Sequence, residues 1–507
     1  MEAEVLIVGA GPTGLVLACD LARRGVPHRL LERRNRRARG SRGKGVQPRS
    51  LEVFYDLGIA DELIGGGRFD LPILLHGEDG PTLVALSPVP RDGAPYLAPL
   101  LTPQWRVEAL LRDRLIEFGG QVEWGCELTN VEQVDDHVVA RFRTGGFDER
   151  IEARWLVGCD GGQSAVRKAA GVPFVGQTLE QIRMWVGDLT LTGIDRAHWH
   201  LWRGSYGFLA LCPLPNTDQF QFQAQIAADE TREPSLDAFA ELVRQRTGRD
   251  DIRLHRVGWL SAWRANVRMV ERFRTGRVLL AGDAAHVHSP AGAQGMNTGI
   301  QDGYNLGWKL AAVRAGADES LIDTFQEERL PVARGVLALS SELTSTGFSP
   351  DRQRDGRTSQ LDLDYRASRL SVDAGALGGT VRAGDRAPDA TGLRGPDGIT
   401  CRLFDLLRGP QTTMLVFASD LPTDLEAALD RFGQAVRCLR IVPQGSGAKG
   451  CWVDADGAAY RLYQPAPDAL VVIRPDGYVG LTGSTAEHTG LARYLRRIVG
   501  TRHAHAS

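Results

Sequence analysis

The chain opens with a buried strand that runs straight into a glycine turn. Val5-Leu6-Ile7-Val8 is a continuous apolar run, the pattern of a parallel strand covered on both faces. Gly9-Ala10-Gly11-Pro12-Thr13-Gly14 follows, and helical periodicity continues to Gly25. His28-Arg29-Leu30-Leu31-Glu32 then reads as a second strand. A βαβ unit of this length gives each glycine a separate task. Gly9 permits a tight turn, Gly11 lets a pyrophosphate approach the backbone, and Gly14 lets the helix pack close to the strand. Pro12 and Thr13 belong to the same binding turn, where the helix N-terminus offers free N–H groups and partial positive charge to phosphates. Glu32 ends the second strand. A carboxylate there accepts hydrogen bonds from both ribose hydroxyls and repels a 2′-phosphate, which suits FAD or NAD rather than NADP.

Two later motifs extend the same site. Cys159-Asp160-Gly161-Gly162-Gln163-Ser164-Ala165-Val166-Arg167 follows the strand at 154–158, and its glycines allow a sharp strand-to-helix turn. Asp160 is expected to orient water or backbone near the pyrophosphate. Gly282-Asp283 follows the apolar run Val278 to Ala281. A short carboxylate at Asp283 suits a ribityl hydroxyl, a group that FAD has and NAD lacks. Pro290-Ala291-Gly292-Ala293-Gln294-Gly295-Met296-Asn297 opens the next helix. Gly292 and Gly295 let the main chain approach a flat isoalloxazine, and N–H groups from Gly295, Met296 and Asn297 are expected at flavin O2. Pro290 and Gly295 form the ring-side turn. No catalytic side chain is assigned, because the chemistry belongs to the cofactor. His286 reads as a packed structural histidine.

Taken in order, G-x-G-x-x-G, D-G-x-x-S-x-V-R and G-D-A-A-H resemble the FAD-dependent aromatic hydroxylases. These are the single-component class A flavoprotein monooxygenases of the para-hydroxybenzoate hydroxylase and phenol hydroxylase type. The resemblance spans about residues 3–345. It places Arg42-Gly43-Lys44-Gly45-Val46-Gln47 over the flavin pyrophosphate, where the family usually has Arg-Ala instead of Arg42-Gly43. Within the basic run that precedes it, Arg33 and Arg42 are counted as cofactor contacts and the remainder as a solvated loop. The resemblance also implies that Gln104 reaches the flavin side of the site. The activity implied is reduction of FAD by NADPH or NADH and reaction with O2. The flavin C4a-hydroperoxide then hydroxylates a phenolic, polycyclic, polyketide-type aromatic. Baeyer–Villiger insertion and antibiotic-inactivating hydroxylation are the alternatives. A halogenase is disfavoured, since no W-x-W-x-I-P segment occurs and Lys44 falls in the pyrophosphate loop.

The fold class expected is α/β. A Rossmann-like FAD-binding domain occupies 1–175 and 266–375, with an inserted antiparallel β-sheet substrate domain at 176–265. In Phe220-Gln221-Phe222-Gln223-Ala224-Gln225 the Phe face is expected in the core, and the Gln face is left open between a substrate cavity and solvent. Residues 347–380 are polar and turn-rich and read as a linker. Residues 381–507 resemble the thioredoxin-like domain that ends some phenol and polyketide hydroxylases. No C-x-x-C is present, which excludes dithiol chemistry there. Seven scattered cysteines, an odd number, point to reduced thiols rather than to a disulfide framework or a metal site. A net charge of −2 argues against nucleic acid as a partner. The first strand leaves no room for a signal peptide and no apolar run reaches membrane-spanning length, so a cytoplasmic monomer or homodimer is expected.

Overall fold

The computed structural model describes residues 3–37, 40–84, 88, 90–204, 207–227, 229–289, 291–345, 356–487 and 489–500. Its first sheet is built around parallel strands. Ala3–Val8 lies between Phe147–Gly158 and His28–Glu32, with Val278–Leu280 beyond the former and Val122–Trp124 beyond the latter. Arg274–Thr275 closes one edge in the antiparallel sense. The register decides where the motifs meet. Val8 pairs with both Gly158 and Leu31, and Gly158 pairs with Leu280. The residues that follow, Gly9, Cys159, Glu32 and Ala281, therefore emerge side by side at the carboxyl edge of the sheet. That edge is where open α/β sheets bind ligands.

Two helices hold this edge. Pro12–Arg23 packs against Gly295–Arg314. The contact runs along glycines spaced by four. An added Cβ would come within 2.4 Å of Thr13 Oγ1 at Gly299, 2.6 Å of the Thr13 carbonyl at Gly303, and 2.4 Å of Asp20 Oδ2 at Gly307. Side chains there would force the helices apart, at about 1–3 kcal/mol for each overpacked site.

The second sheet is wider than the 176–265 segment expected from sequence. Its order is His286–Val287, Arg253–Met269, Val175–Thr192, Gln219–Ile226, Gly207–Pro213, Trp199–Gly204, Ile73–Gly77, Gly80–Val84. The hairpin at 73–84 therefore belongs to it. Trp199–Gly204 pairs with Ile73–Gly77 in parallel, so the sheet is mixed rather than wholly antiparallel. The more than 100 residues between the two strands supply the long crossover that parallel pairing needs. One face is the aromatic core. Trp185, Leu189, Leu211, Phe220 and Phe222 pack under the helix Leu236–Thr247, with the Phe222 and Phe239 rings stacked 4.1 Å apart.

The third sheet lies in the C-terminal third, with Thr412–Val416 between Val436–Pro443 and Ala469–Ile473. A dry charged network joins it to the helices of the first sheet. Glu328, on the helix Asp323–Ser345, meets Arg474 at 2.6 Å and Lys309 at 2.6 Å. Arg474 also pairs with Asp476, and Asn305 donates to both Glu328 and Asp476. Burial pushes Lys309 down to about 8. The expected linker also departs from expectation. Residues 346–355 lie outside the described part, but Tyr365, Ser368 and Leu370 are buried, and Ser368 donates to Glu328. Ser368 joins the charged network, the Tyr365 ring lies 5.3 Å from the Arg474 guanidinium, and Leu370 packs in the apolar core. All seven cysteines are free thiols. Among the described residues no helix is long and apolar enough to cross a membrane.

Candidate functional site

The glycine turn separates residues that the protein itself requires from one that it does not. At Gly9, φ is +105° and a Cβ would lie 2.4 Å from the Cys159 carbonyl oxygen. At Gly14 a Cβ would lie 2.0 Å from the Gly9 carbonyl oxygen. Both positions exclude any side chain. Gly11 is different: its φ is ordinary at −78° and a Cβ would meet nothing within 4 Å. Gly11 thus borders open space at the start of a helix that no side chain caps, the arrangement that receives phosphate. Pro12 takes the first helical position, and Thr13 Oγ1 wedges between Gly282 and Gly299. Glu32 is buried at the strand end. Its Oε2 accepts from Ala10 N–H at 3.0 Å and its Oε1 from Arg34 N–H at 3.1 Å. Each oxygen keeps a second acceptor position. Arg33 and Arg42 are exposed.

Asp160 orients backbone at the second motif. Its Oδ1 accepts from Ser164 Oγ at 2.5 Å, and its Oδ2 accepts from the N–H groups of Ala165 at 2.6 Å and Val166 at 3.2 Å. It holds the first N–H groups of the helix Ala165–Ala169, while Ser164 at the N-cap accepts from Arg167 N–H at 2.9 Å. Arg167 donates to Ala284 O at 2.9 Å and to Gly162 O at 2.8 Å, which ties the second motif to the third.

The third motif is anchored by residues that sequence reasoning did not single out. Gly282 N–H donates to Asp302 Oδ2 at 2.9 Å. The same carboxylate accepts from His286 at 2.7 Å and from Arg329 at 2.7 Å, and Arg329 also donates to Thr298 O and the Tyr365 hydroxyl. Burial would raise Asp302, but Arg329 and His286 hold it below the usual carboxylate range. His286 is therefore a structural partner of Asp302. Asp283 turns the other way. Its side chain is open to solvent, yet enough protein surrounds it that desolvation raises its carboxyl against the pull of His286 and Arg42. A carboxylate both accessible and enclosed lies on the floor of a cleft.

At the ring-side turn, Pro290 lies outside the described residues. Gly292 has φ +79°, and Ala293 has φ +53°, a strained value for a residue with a Cβ. The Asn297 side chain locks this shape. It donates to Ala293 O at 2.8 Å and Gly45 O at 3.0 Å and accepts from Gln47 N–H at 2.8 Å. The helix Gly295–Arg314 has no side-chain cap, so its N-terminus is a second open dipole. Gly43 N–H donates to Gln104 Oε1 at 3.1 Å, and Gln104 Nε2 donates to Glu108 at 2.9 Å. The Gln104 amide thus holds the 42–45 segment. A Cβ at Gly43 would sit 3.4 Å from Gln104 Oε1 and 3.7 Å from Met296 Sδ, so glycine in place of the family's alanine leaves the packing intact.

The same segment is stitched to the second sheet. Ser41 N–H donates to Asp188 Oδ2 at 2.7 Å, and Gln221 Nε2 donates to Ser41 O. Lys44 Nζ donates to Gln221 Oε1 at 2.6 Å and Gln223 Oε1 at 2.9 Å and lies 4.5 Å from the Trp199 ring centre. Lys44, in the segment expected over the pyrophosphate, points its side chain at the sheet, where two amide oxygens and an indole face stabilise its ammonium. Burial pushes Lys44 down and Asp188 up to about 6. The glutamine face thus looks toward the turns at the sheet edge. The open space at Gly11, the two uncapped helices and the accessible Asp283 fit a long dinucleotide with a polyol linker.

The chain matches the FAD binding domain model over residues 2–340 and the aromatic-ring hydroxylase C-terminal model over 380–501. It belongs to the FAD-dependent aromatic-ring hydroxylase family. It is similar to a flavin-dependent monooxygenase of Mycobacteroides abscessus, at 42% identity over 98% of this chain and all of the relative. It is 33% identical to the 6-methylpretetramide 4-monooxygenase of Streptomyces rimosus, over 98% and 93% of the two chains. The solved ternary complex of aklavinone-11 hydroxylase with FAD and aklavinone superposes with a TM-score of 0.82 at 26% identity, covering 98% of this chain and 99% of the other. As a member of this family the chain is a FAD-dependent monooxygenase.

Proposed function

We propose that this monooxygenase hydroxylates a phenolic, polycyclic, polyketide-type aromatic, with NADPH or NADH as reductant. The glutamine face of the second sheet, turned toward the flavin segments, carries the substrate half of this reading. A flat multi-ring ligand needs one apolar and hydrogen-bonding wall opposite the flavin. Gln221 is buried and held by Lys44 and Ser41, and the half-buried Gln223 and Trp199 beside it are the groups that face offers. The polyketide hydroxylases among the relatives support the same class.

Bound FAD supplies two-electron chemistry with nicotinamide and activation of O2. The chain's own residues hold and insulate it. Gly9, Gly11, Pro12, Thr13 and Gly14 line the pyrophosphate, and Glu32 takes the adenosine ribose. Arg33 and Arg42 face phosphate, and Asp283 takes a ribityl hydroxyl. Gly292, Gly295, Met296 and Asn297 border the ring, where the helix N-terminus favours negative charge near O2 of the flavin. Asp160 and Gln104 act one step back, by setting the turns. The C-terminal domain, thioredoxin-like without its cysteine pair, serves as a scaffold through the Glu328–Arg474 joint. NAD(P)H oxidation measured across polycyclic phenols, with product masses, tests the reading. Substrate-stimulated oxidation and a product heavier by one oxygen are expected. Stimulation by small monocyclic phenols alone would remove the substrate class.

A further inference from the structure

A separate cluster of ligating side chains sits at the edge of the second sheet. Asp195-Arg196-Ala197-His198-Trp199-His200 connects Val175–Thr192 to Trp199–Gly204. Asp195 Oδ1 lies 2.9 Å from His198 Nδ1 and 3.6 Å from His200 Nε2, and the three ligand atoms all lie within 4.8 Å of one another. A tetrahedral zinc ion with bonds of about 2.1 Å separates its ligands by about 3.4 Å, a value between those two distances. The loop is already folded for the purpose. The same Asp195 Oδ1 accepts from Ala197 N–H at 2.8 Å and His198 N–H at 3.1 Å, so the carboxylate is fixed over the turn and an ion would share or displace these bonds.

A second shell is also in place. His200 is buried, and its Nδ1 lies 3.1 Å from His76 Nε2. The His76 ring stacks on Trp202 at 4.2 Å. Without metal, His200 Nε2–H donates to the Asp195 carbonyl at 3.2 Å. With an ion on Nε2, the ring proton resides on Nδ1 and donates to His76, the outer contact that a metal-bound histidine uses. Arg68 donates to the loop's own carbonyls at Arg196 and Ala197, and two other guanidiniums are occupied elsewhere. Arg196 donates to Leu214 O and Thr217 O, and Arg249 pairs with Asp251 at 2.6 Å.

We propose that Asp195, His198 and His200 bind a divalent ion of the zinc type, with His76 as the outer partner and water completing the shell. Two imidazoles and one carboxylate suit zinc over calcium or magnesium. The role is structural. The ion clamps both chain neighbours of Trp199, whose ring lies 4.5 Å from Lys44 Nζ, and fixes the hairpin at 73–84 through His76.

The test titrates zinc into tag-free, chelator-stripped holoenzyme against a chromophoric chelator. It uses a His503→Ala/His505→Ala background, which removes the terminal imidazoles. One zinc per chain and a raised thermal midpoint are expected. Asp195→Asn and His198→Ala should each weaken binding at least ~10-fold with FAD content unchanged, and His76→Phe about 10-fold. Absence of saturable binding, or equal affinity in the variants, overturns the site. Zinc-edge X-ray absorption of the unaltered site decides independently of variant folding. Two imidazoles support the assignment and an all-oxygen shell refutes it.

Discussion

Gly11→Ala separates the needs of the cofactor from those of the fold. Alanine adopts φ −78°, ψ −177° without strain, and its Cβ meets no protein atom within 4 Å. The apo protein should lose nothing, and a loop glycine replaced at a compatible site typically gains about 0.4–1 kcal/mol through the unfolded state. Gly14→Ala is the contrast, since its Cβ would lie 2.0 Å from a backbone carbonyl. Overpacking of about 1–3 kcal/mol then falls on the fold itself. On the proposed binding mode, with the pyrophosphate in the open space beside Gly11, the same steric cost falls only on the complex in Gly11→Ala. A cost of about 1–3 kcal/mol raises the FAD Kd roughly 5- to 150-fold. Flavin fluorescence titration of apoprotein reads the affinity, and denaturant midpoints read the stability. A Gly11→Ala variant that binds FAD like the parent, or one that is destabilised as much as Gly14→Ala, would refute the reasoning.

Three further outcomes follow from other parts of the molecule. Arg474→Met should destabilise the protein by about 3–5 kcal/mol in chemical denaturation, because Asp476 and Glu328 lose a buried partner; a loss below ~1 kcal/mol contradicts the joint. Asp188 titrates near 6 when folded and near ~3.9 when unfolded, so the folded protein binds the extra proton between those values and stability falls as pH rises from about 4 to 6. The contribution is on the order of 3 kcal/mol, and Asp188→Asn should flatten that slope in pH-dependent melts; an unchanged slope removes the assignment. Replacing the exposed Arg33, Arg36 and Arg37 by Glu should raise the KM for NADPH more than for NADH, since only NADPH carries the extra phosphate; equal effects rule out phosphate reading.

Much of the nucleotide edge was legible because its chemistry is local. Gly9, Gly14 and Gly282 each serve a turn that adjoining residues reveal, and parallel register then brings the turns together. Asp160 and Gln104 were harder. A side chain's partner depends on which orphan group lies nearest, and those groups belong to Ala165, Val166 and Gly43. Asp302 and Arg329 escaped notice since an acid and a base 27 residues apart on two helices look like ordinary surface charges until the helices pack. The period-four glycines at 295, 299, 303 and 307 were visible, but their meaning required the facing helix. The same holds for Lys44, whose target strand lies about 180 residues away. The glutamine face of that strand is ambiguous in the sequence for the same reason. Alternation says that two faces differ and not what covers either one.

The most direct test of the central claim is a turnover under 18O2 with a polycyclic phenol and NADPH, with the product followed by mass spectrometry. Incorporation of one labelled oxygen into the aromatic product, coupled to substrate-dependent NADPH oxidation, is the expected result. Hydrogen peroxide without an oxygenated product, or an oxygenated product lacking the label, would contradict it.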